Sequence, residues 1–138
     1  MNVLIDTNVA LDVLLNRSQF YDNSAFIYVL SENGFLDSYI SVSSITDIFY
    51  LTQKEYSKQN AYTSIKKLIQ VYHPVTITDT NIFQAFELGW DDFEDAVQYI
   101  AGRNISADYI ITRNVKDFAG SSIEALTPEQ FLDRVIDE

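Results

Sequence analysis

The sequence predicts an α/β sandwich built on a mainly parallel sheet. Two observations carry this. Short apolar runs alternate along the chain with longer segments of helical periodicity, the pattern that yields βα units. The runs themselves, such as Val3-Leu4-Ile5 and Tyr109-Ile110-Ile111, do not alternate with polar residues, as expected of strands covered on both faces.

In chain order, Val3-Leu4-Ile5 reads as a buried strand stopping at Asp6-Thr7-Asn8, and Asp6 or Thr7 can cap the helix that follows. That helix carries Val9, Ala10, Val13 and Leu14 inward and ends near Asn16-Arg17. A second helix is expected over 24–30, with Gly34 as its stop, and a second strand over 39–42. Ser43 or Ser44 then caps a helix holding Ile45, Ile48, Phe49 and Leu51. An amphipathic helix follows over 60–71, and a third short strand over 74–77. Asp79 or Thr80 opens a helix closed at Gly89. The next helix spans 91–103 with Phe93, Ala96, Val97, Ile100 and Ala101 inward. Residues 109–112 form the fourth strand and 123–126 a short fifth. Thr127-Pro128-Glu129 starts the last helix, with proline in the position it favours.

The chain has 138 residues, of which 47% are apolar and 14% aromatic. This suits one globular domain over 1–138 and rejects disorder. There are no cysteines and His73 is the only histidine, so thiolate and multi-histidine metal sites are excluded, as are disulfides. Met1-Asn2-Val3-Leu4-Ile5-Asp6 is not a secretion signal, and no apolar run approaches the ~20 residues of a membrane span. A soluble, cytoplasmic protein is expected. Nine basic against 20 acidic residues give a net charge of −11. Such a chain repels phosphates, so any role with nucleic acid requires divalent cations or a local basic strip.

The acids are not scattered evenly. Asp6 and Arg113-Asn114 follow two strands, and in open α/β sheets the ligand crevice lies at the carboxyl ends of the strands. Asp47 sits about one turn into the helix after the second strand. Asp92 and Asp95 share a face at i, i+3 spacing near a helix start. Each alone has a plain explanation: Asp6 as a cap, Asp92 and Asp95 complementing a helix dipole, Asp47 solvated. Together they define an acidic crevice. At ~5 Å and an effective dielectric constant of ~20, each carboxylate pair costs roughly 3 kcal/mol, a conflict that Mg²⁺ or Mn²⁺ relieves. Such ions activate water and stabilise an in-line phosphoryl displacement.

These residues resemble the motifs of the PIN-domain ribonucleases, including the VapC-like toxin halves of bacterial toxin–antitoxin pairs. The N-terminal motif is similar to Val3-Leu4-Ile5-Asp6-Thr7-Asn8-Val9-Ala10-Leu11-Asp12. Ser43-Ser44-Ile45-Thr46-Asp47 stands at the second, where Glu is more usual. Asp92-Phe93-Glu94-Asp95-Ala96 looks like the third, and Ile110-Ile111-Thr112-Arg113-Asn114 with Asp117-Phe118 like the fourth. The order and spacing cover nearly the whole chain. The resemblance implies a three-layer α/β/α sandwich with a central, mainly parallel sheet of four to five strands, and Mg²⁺- or Mn²⁺-dependent cleavage of RNA. It implies Asp6, Asp47 and Asp95 as catalytic metal ligands, with Thr112 and Asn8 hydrogen-bonding near the site. Where the family often has Asp, this chain has Asn114, which coordinates only through its carbonyl; Asp92 or Asp117 can supply the missing charge.

Arg17 and Arg113 flank the crevice and can bind phosphate or pair with surface acids. Lys54, Lys58, Lys66 and Lys67 form either a basic strip or a solvated face, and His73 and Trp90 are expected in structural roles. Tyr21, Phe26, Tyr28, Phe49 and Tyr50 fit helical core spacing, while the resemblance implies homodimer or antitoxin contacts there. The alternative reading is a PIN-like binding or scaffold protein without turnover. A haloacid-type phosphatase requires a second acid where Asn8 stands. A receiver domain requires a lysine after the late strand, which ends in Thr112-Arg113.

Overall fold

A computed structural model describes residues 1–136. Five strands, β1 (Asn2–Ile5), β2 (Asp37–Ser41), β3 (His73–Val75), β4 (Tyr109–Ile111) and β5 (Glu124–Leu126), form one sheet in the order β3-β2-β1-β4-β5. Every pairing is parallel. Seven helices accompany them among the described residues: α1 (Thr7–Leu14), α2 (Tyr21–Glu32), α3 (Ile45–Glu55), α4 (Lys58–Val71), α5 (Asp79–Leu88), α6 (Phe93–Asn104) and α7 (Pro128–Ile136).

The period-2 geometry of the strands divides the core in two. Val3, Ile5, Ile40 and Ile111 pack against α1, α2, α3, α4 and α7 through Val9, Leu11, Ile27, Ile48, Leu68 and Phe131. Leu4 and Ile110 face the other way, against Ala85 of α5 and Ala96, Val97 and Ile100 of α6. The result is the expected three-layer α/β/α sandwich. No described helix is long and apolar enough to cross a membrane.

Local signals account for most boundaries. Gly34 (φ 82°) and Gly89 (φ 66°) take the left-handed conformation that ends α2 and α5. Pro128 opens α7, where Thr127 and Gln130 bond each other's backbone N–H reciprocally. Several details depart from expectation. α2 starts at Tyr21 rather than residue 24 and β3 ends at Val75 rather than residue 77. α5 is opened by Thr78, in a capping box with Asn81, rather than by Asp79 or Thr80. Ser44 is the N-cap position of α3, as one of the two expected serines, but its hydroxyl is taken by Thr7 and Gln98 and makes no capping bond; Ser41 Oγ instead caps the 3₁₀ turn over Val42–Ser44 that separates strand from helix. α6 begins at Phe93 with Asp92 as its N-cap, so Phe93 lies on the rim, 41% exposed and stacked on Phe86, rather than inward.

Tyr28 and Phe49 pack against the core, whereas Phe26 and Tyr50 are exposed. Trp90 stacks on Tyr99. His73 is exposed beside Tyr39, and Lys54, Lys58, Lys66 and Lys67 are all exposed.

Candidate active site

Asp6 ends β1 and caps α1. Its backbone N–H still follows the sheet, donating to the Ile111 carbonyl at 2.9 Å. Its side chain turns out of the ladder: Oδ1 accepts from the Thr7 N–H at 2.8 Å and Oδ2 from the Thr112 hydroxyl at 2.8 Å. Only 6% of Asp6 is exposed. Burial raises its carboxyl above the ordinary value; Thr112, the Thr7 amide and Arg113 pull it back, and Asp117 adds to the rise. Parallel pairing of β1 with β4 thus brings the two strand tips together, Asp6 against Thr112 across 106 residues of sequence.

The remaining acids stand on either side of Asp6. Asp92, Asp95 and Asp117 line a cleft of about 350 Å³ with Lys116 and Trp90. Asp95 lies in the first turn of α6, and its N–H donates to Asp92 Oδ1 at 3.2 Å. Partial burial, then the charges of Asp92, Asp6, Asp117 and Glu94, push its carboxyl from 3.8 up to about 7. Asp47 lines a separate cavity of about 260 Å³ with Thr7, Asn8, Tyr50 and Glu94. Asn114 follows Thr112, its N–H donating to the Thr112 hydroxyl at 3.1 Å, and faces a neighbouring cavity with Arg113 and Asp117. Among the described residues no three acidic or histidine side chains approach closely enough to hold a metal ion between them.

Three participants escaped sequence reasoning. Glu94 shares the Asp47 cavity and is exposed overall; partial desolvation of its carboxyl raises it, as do the charges of Asp6, Asp92 and Asp47, while Thr7 opposes the rise. Its place beside Asp95 at the start of α6 was the available signal. Gln98, fully buried, donates from Nε2 to Ser44 Oγ at 2.6 Å and to Thr7 Oγ1 at 3.2 Å, and Thr7 donates to Ser44 at 2.7 Å. This knot fastens α1, α6 and the turn before α3 beneath the carboxylates. Its signal was an amide interrupting the apolar stretch from Ala96 to Ala101.

Asp12, the third, is also fully buried. Its carboxylate meets Arg17 Nη1 at 3.5 Å and Arg113 Nε at 3.4 Å. Burial raises it and the two guanidinium groups oppose the rise. Arg113 lines two of the cavities at this edge and Arg17 does not, but both are tied to this one internal acid. Arg113 also lies over the Phe20 ring, 4.3 Å from its centroid.

The fold and these residues define a parallel α/β/α domain whose sheet opens, at its carboxyl edge, onto a crevice of carboxylates. The PIN-domain family profile matches residues 2–116, and the chain belongs to that family. It is 29% identical to Ribonuclease VapC1 of Aquifex aeolicus (strain VF5), over 96% of this chain and 94% of that protein. Among solved structures, VapBC2 from Rickettsia felis, bound to a DNA fragment from its promoter, superposes with a TM-score of 0.69 at 14% identity, covering 92% of this chain and 98% of that one. A toxin–antitoxin complex from Klebsiella pneumoniae gives 0.64 at 19%, covering 91% and 97%. At such identities the structural likeness speaks for the fold.

Proposed function

We propose that this protein is a divalent-metal-dependent endoribonuclease of the toxin type. The observation that carries the reading is the placement of Asp6: a buried carboxylate, fixed by Thr7 and Thr112, at the sheet edge where Asp95 is pushed up to about 7 by neighbouring acids. The donor set fits Mg²⁺ or Mn²⁺, since it is oxygen only and concentrates more negative charge than it balances. Asp6, Asp95 and Asp47 do not converge on one point as they stand, so they would have to draw together to hold the ion; Asp92, Asp117 and the Asn114 carbonyl are the further oxygen donors. When bound, the ion supplies charge neutralisation for the scissile phosphate and a more acidic water. Thr112 keeps Asp6 in one rotamer, and Asn8 is placed to hydrogen-bond substrate beside Asp47. Arg113 and Arg17 provide positive charge for the phosphate backbone.

The ribonuclease name of the Aquifex relative agrees with this activity. The Klebsiella complex supports a cognate antitoxin partner for this chain, and the exposed Phe26 and Tyr50 offer apolar surface for it or for a homodimer. The same reading takes 1–138 as one cytoplasmic domain.

RNA cleavage in Mn²⁺ or Mg²⁺ tests the proposal. Cleavage is expected to vanish in EDTA and in Asp6→Asn and Asp95→Asn, with circular dichroism unchanged. Turnover that survives both substitutions sinks it. A second reading, a PIN-fold scaffold without turnover, is favoured by Asn114, which brings no charge to the fourth corner. It predicts no heat on titration with millimolar Mn²⁺.

A further inference from the structure

Three cavities run in series along the tips of β4 and β5. The acidic cleft and its neighbour share Lys116 and Asp117 as walls. That neighbour, about 410 Å³, shares Arg113 and Thr127 with a third cavity of about 270 Å³. The third is walled by Phe20, Arg113, Gln19, Asn23 and Glu129. A continuous track therefore leads from Asp95 past Lys116 and Arg113 to Phe20.

We infer that the third cavity is a subsite for one base of a single-stranded RNA whose backbone follows this track; the inference rests on the ribonuclease reading above. Charge is the first argument. Only nine side chains are basic, yet Arg17, Arg113 and Lys116 all gather at this edge. With Asp12, Asp117 and Glu129 set against these three cations the stretch is electrically neutral, in a chain whose net charge is −11, so phosphate is repelled less here than elsewhere. The walls are the second argument. Arg113 over the Phe20 ring, 4.3 Å from its centroid, offers a guanidinium and an aromatic side by side, the groups on which unstacked bases settle. Gln19 and Asn23 are exposed amides that both donate and accept, as a base edge requires. Glu129 excludes a phosphate from the cavity and accepts from an exocyclic amino group. Size is the third. About 270 Å³ falls just below the roughly 300–1,000 Å³ of small-ligand sites, enough for one base and too little for a folded strand.

Asp12 has a defined part in this arrangement. It is a positioning residue: its charge, 3.4 Å from Arg113 Nε without a hydrogen bond between them, favours the guanidinium at the Phe20 ring before RNA arrives.

The test uses the full chain and a short mixed-sequence single-stranded RNA. In an Asp95→Asn background with Mn²⁺, Phe20→Ala is expected to weaken binding roughly tenfold, and Phe20→Trp to preserve it. In the otherwise native chain, Phe20→Ala and Asn23→Ala are expected to raise KM while kcat changes little, and to lose base preference at one position beside the scissile bond, read by sequencing the products. Phe20 is 36% exposed and Asn23 is exposed, so neither substitution empties the core. Unchanged affinity and unchanged base preference in both variants overturn the subsite while leaving the ribonuclease intact. A native chain that neither binds nor cleaves this RNA overturns the ribonuclease reading and the subsite with it.

Discussion

Thr112 reaches Asp6 with one hydroxyl, and that bond connects the first motif of the chain to the last. A hydrogen bond to an ionised group contributes about 1.5–3 kcal/mol net. Thr112→Val keeps the shape, leaves Asp6 Oδ2 without its donor, and is expected to cost about 2 kcal/mol. Thr112→Ser retains the hydroxyl and loses only a buried methyl, costing about 1 kcal/mol. Urea denaturation in metal-free buffer separates the two, and equal losses would show that the hydroxyl is idle. Asp12 illustrates why such residues are hard to read from sequence. Its hydrogen-bonded partner Arg17 is local, but the second, Arg113, is 101 positions away (113 − 12), and no local pattern announces a pair formed by the packing of α1 against the end of β4.

At the scale of elements, the junction between α5 and α6 sets the acidic cleft. Gly89 ends α5 at φ 66°, Trp90 stacks on Tyr99, and Asp92 caps α6, which places Asp95 in its first turn. No atom lies within 4 Å of the position a Gly89 Cβ would take. Gly89→Ala therefore meets no steric clash and carries only the left-handed backbone cost of roughly 1–2 kcal/mol. A fall in denaturation midpoint of that size, with the urea slope unchanged, is the expected result. A variant as stable as the native chain would mean that the turn relaxes freely. This junction was half legible. Gly89 as a stop and Asp92 and Asp95 on one face follow from local chemistry. The inward assignment of Phe93 did not hold, because Asp92 is the cap and Phe93 falls on the rim. The seven consecutive buried residues from Ala96 to Gly102 show no helical stripe, since α6 lies between the sheet, α5 and the loop after β4. The strands were easier, because a parallel sheet covered on both faces writes itself as unbroken apolar runs. β2 is the exception: it begins at Asp37, two residues before its apolar run, because β1 fixes its register through Asn2 and Val3.

For the whole molecule, charge decides how stability responds to pH. With a net charge of −11, the chain gathers acids at one edge. Asp6, Asp12, Glu94 and Asp95 are all raised above their ordinary values, first by burial in every case. A carboxyl raised on folding binds its proton more tightly in the native than in the unfolded chain. Between the two values the native state holds more protons, so stability falls as pH rises. Asp95 defines the window: its contribution is complete below about 3.8 and lost as pH climbs through about 7. The metal-free protein is therefore expected to melt at a lower temperature at pH 8 than at pH 5.5, the reverse of a protein held by salt-bridged carboxylates. Asp95→Asn removes the group that must ionise against its neighbours, so it is expected to flatten this dependence and to raise the melting temperature at pH 8. On the metal-dependent reading, Mn²⁺ is expected to do the same by a different route, by binding the native acids and not the unfolded chain, with a stabilisation that grows with pH because protons and metal compete for the same oxygens. Calorimetric melts of both proteins at the two pH values, with and without Mn²⁺, check all three outcomes. A metal-free native chain that grows more stable toward pH 8 would contradict the placement of uncompensated acids at this edge, and the metal-binding proposal would lose its electrostatic basis.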